Sequence, residues 1–100
     1  MDMRFLMKQA QQVQAKLQEA QAKVMAEGTA GGGLVKITLN GAKVLTNVSI
    51  SKDAIDPDDP SMLEDLIMAA YSDAAAKSEE AMAKATGGMT SGLNIPGFNF

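Results

Sequence analysis

The chain has 100 residues, 46% of them hydrophobic, and a formal net charge of −3, which suits one domain with a thin core. It contains neither cysteine nor histidine, so disulfides, thiol chemistry, the commonest general base and the commonest metal ligand are excluded. No apolar run approaches the ~20 residues that span a bilayer, and we therefore expect a cytoplasmic protein.

Residues 3–27 are predicted to form one long helix. Its apolar positions alternate at three- and four-residue spacing and form a heptad seam of Met3, Leu6, Ala10, Val13, Leu17, Ala20 and Val24. Gly28 is the first glycine or proline after the start of the chain, and it is predicted to end the helix as a C′ residue. So narrow a seam packs either against a helix of a partner or against the chain's own second helix and sheet. The two kinds of packing are compatible with each other.

The glycine-rich stretch "EGTAGGGLVK" at 27–36 invites comparison with a phosphate-binding loop. Gly28 and Gly33 have the P-loop glycine spacing, but Leu34 and Val35 stand where Lys and Ser/Thr are required. The order of elements is also reversed, because a helix precedes the glycines and a strand follows them. We therefore expect Gly31–Gly33 to turn the chain into the first strand and to let a second subunit approach closely.

Residues 34–50 are predicted to form a β-hairpin around Asn40-Gly41, a strong two-residue turn signal. This turn would pair Leu39 with Ala42, Ile37 with Val44, and Val35 with Thr46. One apolar face would then hold Val35, Ile37, Leu39, Val44, Val48 and Ile50. A hairpin alone is only marginally stable, so we expect the helices, and a second hairpin from another copy, to complete the sheet.

A second helix is predicted at about 60–85. Pro60 suits its first position, with Asp59 as N-cap, although Ser61 and Glu64 offer a competing capping box. The domain is predicted to cover residues 1–86. Residues 87–100 are rich in glycine and are predicted to form a flexible tail that can dock on a neighbour.

Acidic residues provide no convincing catalytic or metal site. Asp56, Asp58 and Asp59 resemble the start of an EF-hand loop, but Ser61 and Ile67 occupy the positions that require Gly and Glu. Carboxylates adjacent on a helix point to different sides, and no histidine is present to activate a serine. The sequence thus predicts no enzyme, no metal, no cofactor and no small-molecule ligand.

Charge is distributed unevenly along the chain. Residues 1–52 hold seven basic and three acidic groups, whereas residues 53–100 hold two basic and nine acidic groups. The basic half suggests a surface for a polyanion, with a chance imbalance as the alternative. The first helix carries four cations that lie off its seam, Arg4, Lys8, Lys16 and Lys23. Such a row either contacts phosphates or merely solvates the helix.

Four stretches of the chain are familiar in their order and spacing. They are "MKQAQQVQAKLQEAQ" at 7–21, "GGGLVKITLNG" at 31–41, "MLEDLIMAAYSDAAAK" at 62–77 and "GLNIPGF" at 92–98. Over nearly its whole length the chain resembles the YbaB/EbfC family of bacterial nucleoid-associated proteins. The resemblance implies an α+β fold with a long helix, a short antiparallel sheet and a second helix. It also implies a cytoplasmic homodimer that binds DNA, helps to organise the nucleoid and influences gene expression, without any membrane association.

The family resemblance also indicates which residues act. DNA contact is attributed to helical arms, which here gives Arg4, Lys8, Lys16 and Lys23, with Lys77 and Lys84 as secondary candidates. The subunits would join through the sheet region, at Gly31, Gly32, Gly33, Leu34, Val35, Ile37 and Leu39. The alternative is a homodimeric scaffold whose arms and tail hold another protein, with DNA binding incidental.

Overall fold

The computed structural model of the chain describes residues 2–93, and the side chains of residues 2–87. It confirms the α+β class. The elements run α1 (Met3–Lys23), β1 (Ala26–Ala30), β2 (Val35–Leu39), β3 (Leu45–Ile50), a short 3-10 turn (Lys52–Ala54) and α2 (Pro60–Leu93). The three strands form one antiparallel sheet in the order β1-β2-β3. Since α2 packs chiefly on β1 and β2, β3 lies at the uncovered side of the sheet.

The first helix is shorter than predicted. It begins after Asp2, whose carboxylate accepts the Arg4 N–H at 3.0 Å as an N-cap does, and it ends at Lys23. The prediction that Gly28 caps the helix was wrong, because Gly28 lies in the middle of β1 and pairs with Ile37. Hydrogen bonding to β2 outweighs the helix propensity of the residues before Gly28, as tertiary pairing commonly does.

Gly28 allows β1 and α2 to touch. A methyl carbon built on Gly28 would lie 2.8 Å from the Cα of Ala74 and closer still to the carbonyl oxygen of Ala70. Because both neighbours are backbone atoms, neither could move aside without displacing the helix. The glycine therefore serves close packing, and not the helix termination that the sequence suggested.

The predicted hairpin exists, but its register was wrong. Ile37 pairs with Val48 rather than Val44, and an irregularity follows at Thr38/Leu39. Asn40 closes a longer loop, because its N–H donates to the Val44 carbonyl at 3.0 Å and its side-chain oxygen accepts from two loop amides.

Tertiary contacts explain why Asn40-Gly41 does not form the two-residue turn. Gly41 donates its N–H to the Gln21 carbonyl of α1 at 2.9 Å, and it lies against the sulfur of Met82 in α2. Lys43, not Gly41, takes the left-handed conformation, with φ of 63°. The loop is thus held between the two helices, and the strand register shifts accordingly.

The core is small and lies between the sheet and α2. Val35, Ile37 and Leu39 project from β2 onto Ala70 and Ala74 of α2, and all five are nearly inaccessible to solvent. The small alanines let the helix approach the sheet closely. Ser78 is also buried, and its hydroxyl donates to the Asn40 carbonyl at 2.8 Å, which ties α2 to the hairpin loop.

The second helix begins where the sequence predicted. Pro60 is its first residue, and Asp59 accepts the Met62 N–H at 3.3 Å, so Asp59 rather than the competing capping box starts the helix. It continues to Leu93, past the predicted end near residue 85. A glycine costs about 1 kcal/mol inside a helix but does not forbid one. Residues 94–100 of the predicted tail lie outside the described residues.

Candidate nucleic-acid interface

The first helix is exposed over most of its length, and of its residues only Ala20 and Gln21 are half-buried. None of its residues is buried, and it projects beyond the sheet, so that the described chain measures 66 × 24 × 16 Å. Between residues 3 and 18 it contains three cations and no acid, Arg4, Lys8 and Lys16. This stretch therefore presents an excess of positive charge to solvent.

The cations and the apolar seam lie on different sides of α1. At about 100° per residue, Arg4, Lys8, Lys16 and Lys23 fall within an arc of about 120°. The seam residues are centred roughly opposite that arc. Arg4 and Lys16 are separated by about 18 Å along the axis. The basic arc is thus long enough to meet several phosphates along one groove of a duplex, whose charges recur every few ångströms.

Ion pairs divide the six predicted DNA contacts into two groups. Among the described residues, no carboxylate pairs with Arg4, Lys8 or Lys16. The other three are each paired one helical turn away: Lys23 with Glu19 at 2.7 Å, Lys77 with Asp73 at 3.1 Å, and Lys84 with Glu80 at 3.4 Å. A phosphate contact from the second group has to displace a carboxylate.

Carboxylates near these lysines are held in the ionised form. A hydrogen bond from Lys23, together with its charge, lowers the pKa of Glu19. The pKa of Glu79 is lowered in the same way by Lys43, which bonds to it from the hairpin loop. At neutral pH these acids stay negative, and their lysines are partly neutralised as phosphate contacts.

Sequence reasoning overlooked two other cations. Lys36 on β2 and Lys52 in the 3-10 turn have no ion pair among residues 2–87. Lys36 projects from the face of the sheet opposite α2, because its neighbours Val35 and Ile37 face the core. The predicted hairpin already implied this side for Lys36, because its neighbours Val35 and Ile37 were assigned to the apolar face, whereas no sequence signal marks Lys52.

The residues predicted for the subunit interface fall into two groups, the strand residues in the core and the glycines in the β1–β2 turn. Val35, Ile37 and Leu39 are already covered by α2 of the same chain, and Leu34 is half-buried. The three glycines form the β1–β2 turn with φ values of 65°, 70° and 98°, which explains why glycine stands at each. None of the strand residues in this set presents a free side chain to a second copy.

An uncovered apolar surface lies beside them. All six residues of β3 are exposed, although Val48 and Ile50 face the same side of the sheet as the core residues of β2. Next to β3 is an apolar groove of about 450 Å³ lined by Ile37, Leu45, Val48, Ile67, Met68, Tyr71 and Ser72. The groove thus extends the apolar core from β2 towards β3, the strand on which α2 packs least.

Two classes of site find no support in the described part of the chain. Within residues 2–93 no helix combines the length and apolarity needed to cross a membrane. Nor do any three acidic side chains there come together as metal ligands would.

Comparison with known proteins gives a consistent result. The profile of the YbaB/EbfC DNA-binding family matches residues 1–93. A nucleoid-associated protein of Bartonella tribocorum is 45% identical to this chain, over 95% of this chain and 92% of that protein's own length. A nucleoid-associated protein of Paramagnetospirillum magneticum is 52% identical to this chain, over 91% of this chain and 88% of that protein's own length.

A solved structure shares the fold. The crystal structure of an uncharacterised protein from Helicobacter pylori superposes with a TM-score of 0.70, covering 90% of this chain and 98% of that chain. At 22% identity, this similarity concerns the fold alone.

Proposed function

The chain belongs to the YbaB/EbfC DNA-binding family, and from this premise we propose that it binds duplex DNA as a homodimer through the basic arc of α1. The observation that carries the proposal is the acid-free stretch 3–18, in which Arg4, Lys8 and Lys16 are exposed and unpaired among the described residues. Its place in the cell is then the nucleoid, where it organises DNA and influences expression.

Binding proceeds mainly through phosphates. The cations of the arc neutralise backbone charge and by themselves carry little sequence information. Lys23, Lys77 and Lys84 act as secondary contacts, since each first has to leave its carboxylate. The excess of acids on α2 keeps DNA on the α1 side by repulsion.

The second copy adds at β3. An uncovered strand edge displays unpaired N–H and C=O groups and is a template for pairing with another strand. Two antiparallel copies of β3 are self-complementary about a two-fold axis, as a closed dimer requires. Pairing would also bring the apolar grooves beside Val48 and Met68 of both copies together and remove them from water.

Charge reversal on α1 tests DNA binding. The variant Lys8→Glu/Lys16→Glu should lose at least about tenfold in affinity for a duplex of random sequence, measured by fluorescence anisotropy at low salt. The matched control is Lys84→Glu, which changes a lysine already paired with Glu80 and should lose much less. Equal losses in both variants, or wild-type affinity that does not fall with salt, would refute contact through α1.

Disruption of β3 tests the dimer. Val48→Lys places a charge at the centre of the uncovered strand and should halve the mass measured by light scattering. Lys52→Glu, just beyond the strand, is the control and should keep the wild-type mass. A wild-type mass of one chain would exclude the homodimer.

A protein-binding scaffold is the second candidate, and one observation favours it. The seam of α1 is open to solvent, with Leu6, Val13 and Leu17 exposed by 42%, 37% and 38%. Such a stripe fits a partner helix. Purification after nuclease treatment separates the two functions, because a protein partner survives that treatment and one recruited through DNA does not.

A further inference from the structure

The two edges of the sheet differ in what occupies their backbone groups. Among the described residues no hydrogen bond occupies the outer edge of β3, whereas β1 lies under α2 and receives side chains from it. Both strands are edge strands, because the sheet order is β1-β2-β3. A chain with two free edges can add neighbours on both sides, so the state of β1 determines how far self-association can proceed.

Asp73 and Lys77 bond to the outer edge of β1. The Thr29 N–H donates to Asp73 Oδ2 at 3.0 Å, and Lys77 Nζ donates to the Glu27 carbonyl at 3.1 Å. The two side chains also pair with each other at 3.1 Å. Alternate residues of an edge strand direct both backbone groups away from the neighbouring strand, so the occupied groups are ones that a fourth strand would need.

The lack of a side chain at Gly28 makes this arrangement possible. α2 lies against β1 at Ala70 and Ala74, closer than any Cβ at position 28 would permit. This contact brings the helical turn of Asp73 and Lys77 alongside the strand. The Thr29 amide, followed by Lys77, lowers the pKa of Asp73, which keeps the carboxylate charged and its bond to the amide charge-assisted at neutral pH.

We propose that the Asp73–Lys77 pair closes the β1 edge to strand addition, so that self-association occurs through β3 alone and ends at two copies. The limit of two copies rests on the homodimer proposed above, whereas the closure of β1 does not. An open β1 edge would let each dimer recruit another chain on either side and would give chains of no fixed length.

Removal of the pair is the direct test. The variant Asp73→Ala/Lys77→Ala should form species above the wild-type mass that grow with protein concentration, with at least a doubling of weight-average mass in sedimentation at high concentration. The control Glu80→Ala/Lys84→Ala removes another i,i+4 ion pair of α2 that bonds to no strand, and it should keep the wild-type mass. If the Asp73/Lys77 variant keeps the wild-type mass at every concentration, the proposal is wrong.

A test in the Val48→Lys variant distinguishes the closure of β1 from the proposed homodimer. In Val48→Lys, where β3 is blocked, adding Asp73→Ala/Lys77→Ala should convert single chains into pairs joined at β1. Failure of that conversion would overturn closure of β1 while leaving a wild-type dimer intact. A wild type of single-chain mass would refute the dimer, and β1 closure would still be decided by whether the pair-removal variant associates.

Amide hydrogen exchange covers the case in which the alanine variants do not fold. In the Val48→Lys chain the Thr29 amide should exchange at least about tenfold more slowly than the outer-edge amides of β3, because the Thr29 amide donates to Asp73 and, among the described residues, no outer-edge amide of β3 donates to a side chain. Equal rates would show that Asp73 does not occupy the edge, and would overturn the proposal.

Discussion

The two helices carry opposite charge and stand in opposite relations to the core. α1 holds four cations and one acid, and none of its residues is buried. α2 holds five acids and two cations, and it buries Ala70, Ala74 and Ser78 against the sheet. Both cations of α2 are paired with carboxylates, and one also bonds to β1. Polar groups of the packed helix are thus partly engaged by the fold, whereas Arg4, Lys8 and Lys16 of the projecting helix have no carboxylate partner among the described residues.

Breaking the contact between α2 and the sheet should have the largest effect. Gly28→Ala introduces a methyl group against the backbone of α2 and should lower the free energy of unfolding by about 3 kcal/mol or more, measured by urea denaturation. Gly32→Ala is the control: it has open space but a φ of 70°, and should cost only about 1 kcal/mol. Equal losses would mean that α2 shifts away from a Cβ at position 28 at little cost, and that close contact does not require Gly28.

Truncating one leucine in the core and one on α1 should show how differently the two regions contribute to stability. Leu39→Ala removes a fully buried side chain and should cost about 3 kcal/mol, whereas Leu17→Ala on α1, 38% exposed, should cost under about 1 kcal/mol. Thermal unfolding followed by circular dichroism measures both. If the two losses match, the seam of α1 is covered in solution by a partner.

Salt dependence should distinguish cations of the two helices. Lys16→Gln should reduce the slope of log affinity for duplex DNA against log salt by about 0.9, the value for one lost phosphate contact. Lys84→Gln should change that slope less, because Glu80 already neutralises this lysine. An unchanged slope for Lys16→Gln would remove that residue from the interface.

Acid should weaken the attachment of α2 through Asp73. Its pKa is lowered, chiefly by the Thr29 amide and then by Lys77, so its contribution is fully present above the ordinary value of 3.8 and is lost as pH falls through the lower folded-state pKa. Asp73→Asn should flatten the decline of stability over that acid range, measured by urea midpoints at successive pH values. Lys36→Gln, which does not face Asp73, should leave the decline unchanged.

Local sequence patterns were enough to predict a first helix, the hairpin region and the start of α2, whereas the α+β class was given by the family resemblance. These patterns succeeded where a local signal and the tertiary structure agree. Pro60 and Asp59 begin α2 in both, and the alternation of Val35, Ile37 and Leu39 marks the strand that carries the core. The basic row on α1 is likewise visible in the sequence, because helical spacing alone places its members on one side.

Only the tertiary structure decided β1 and the hairpin register. The residues around Gly28 favour a helix locally, but pairing with β2 and the close approach of α2 make them a strand. Asn40-Gly41 favours a two-residue turn, yet contacts from Gln21 and Met82 hold it in a longer loop. In each case contacts between residues distant in sequence outweigh a local preference worth about 1 kcal/mol or less.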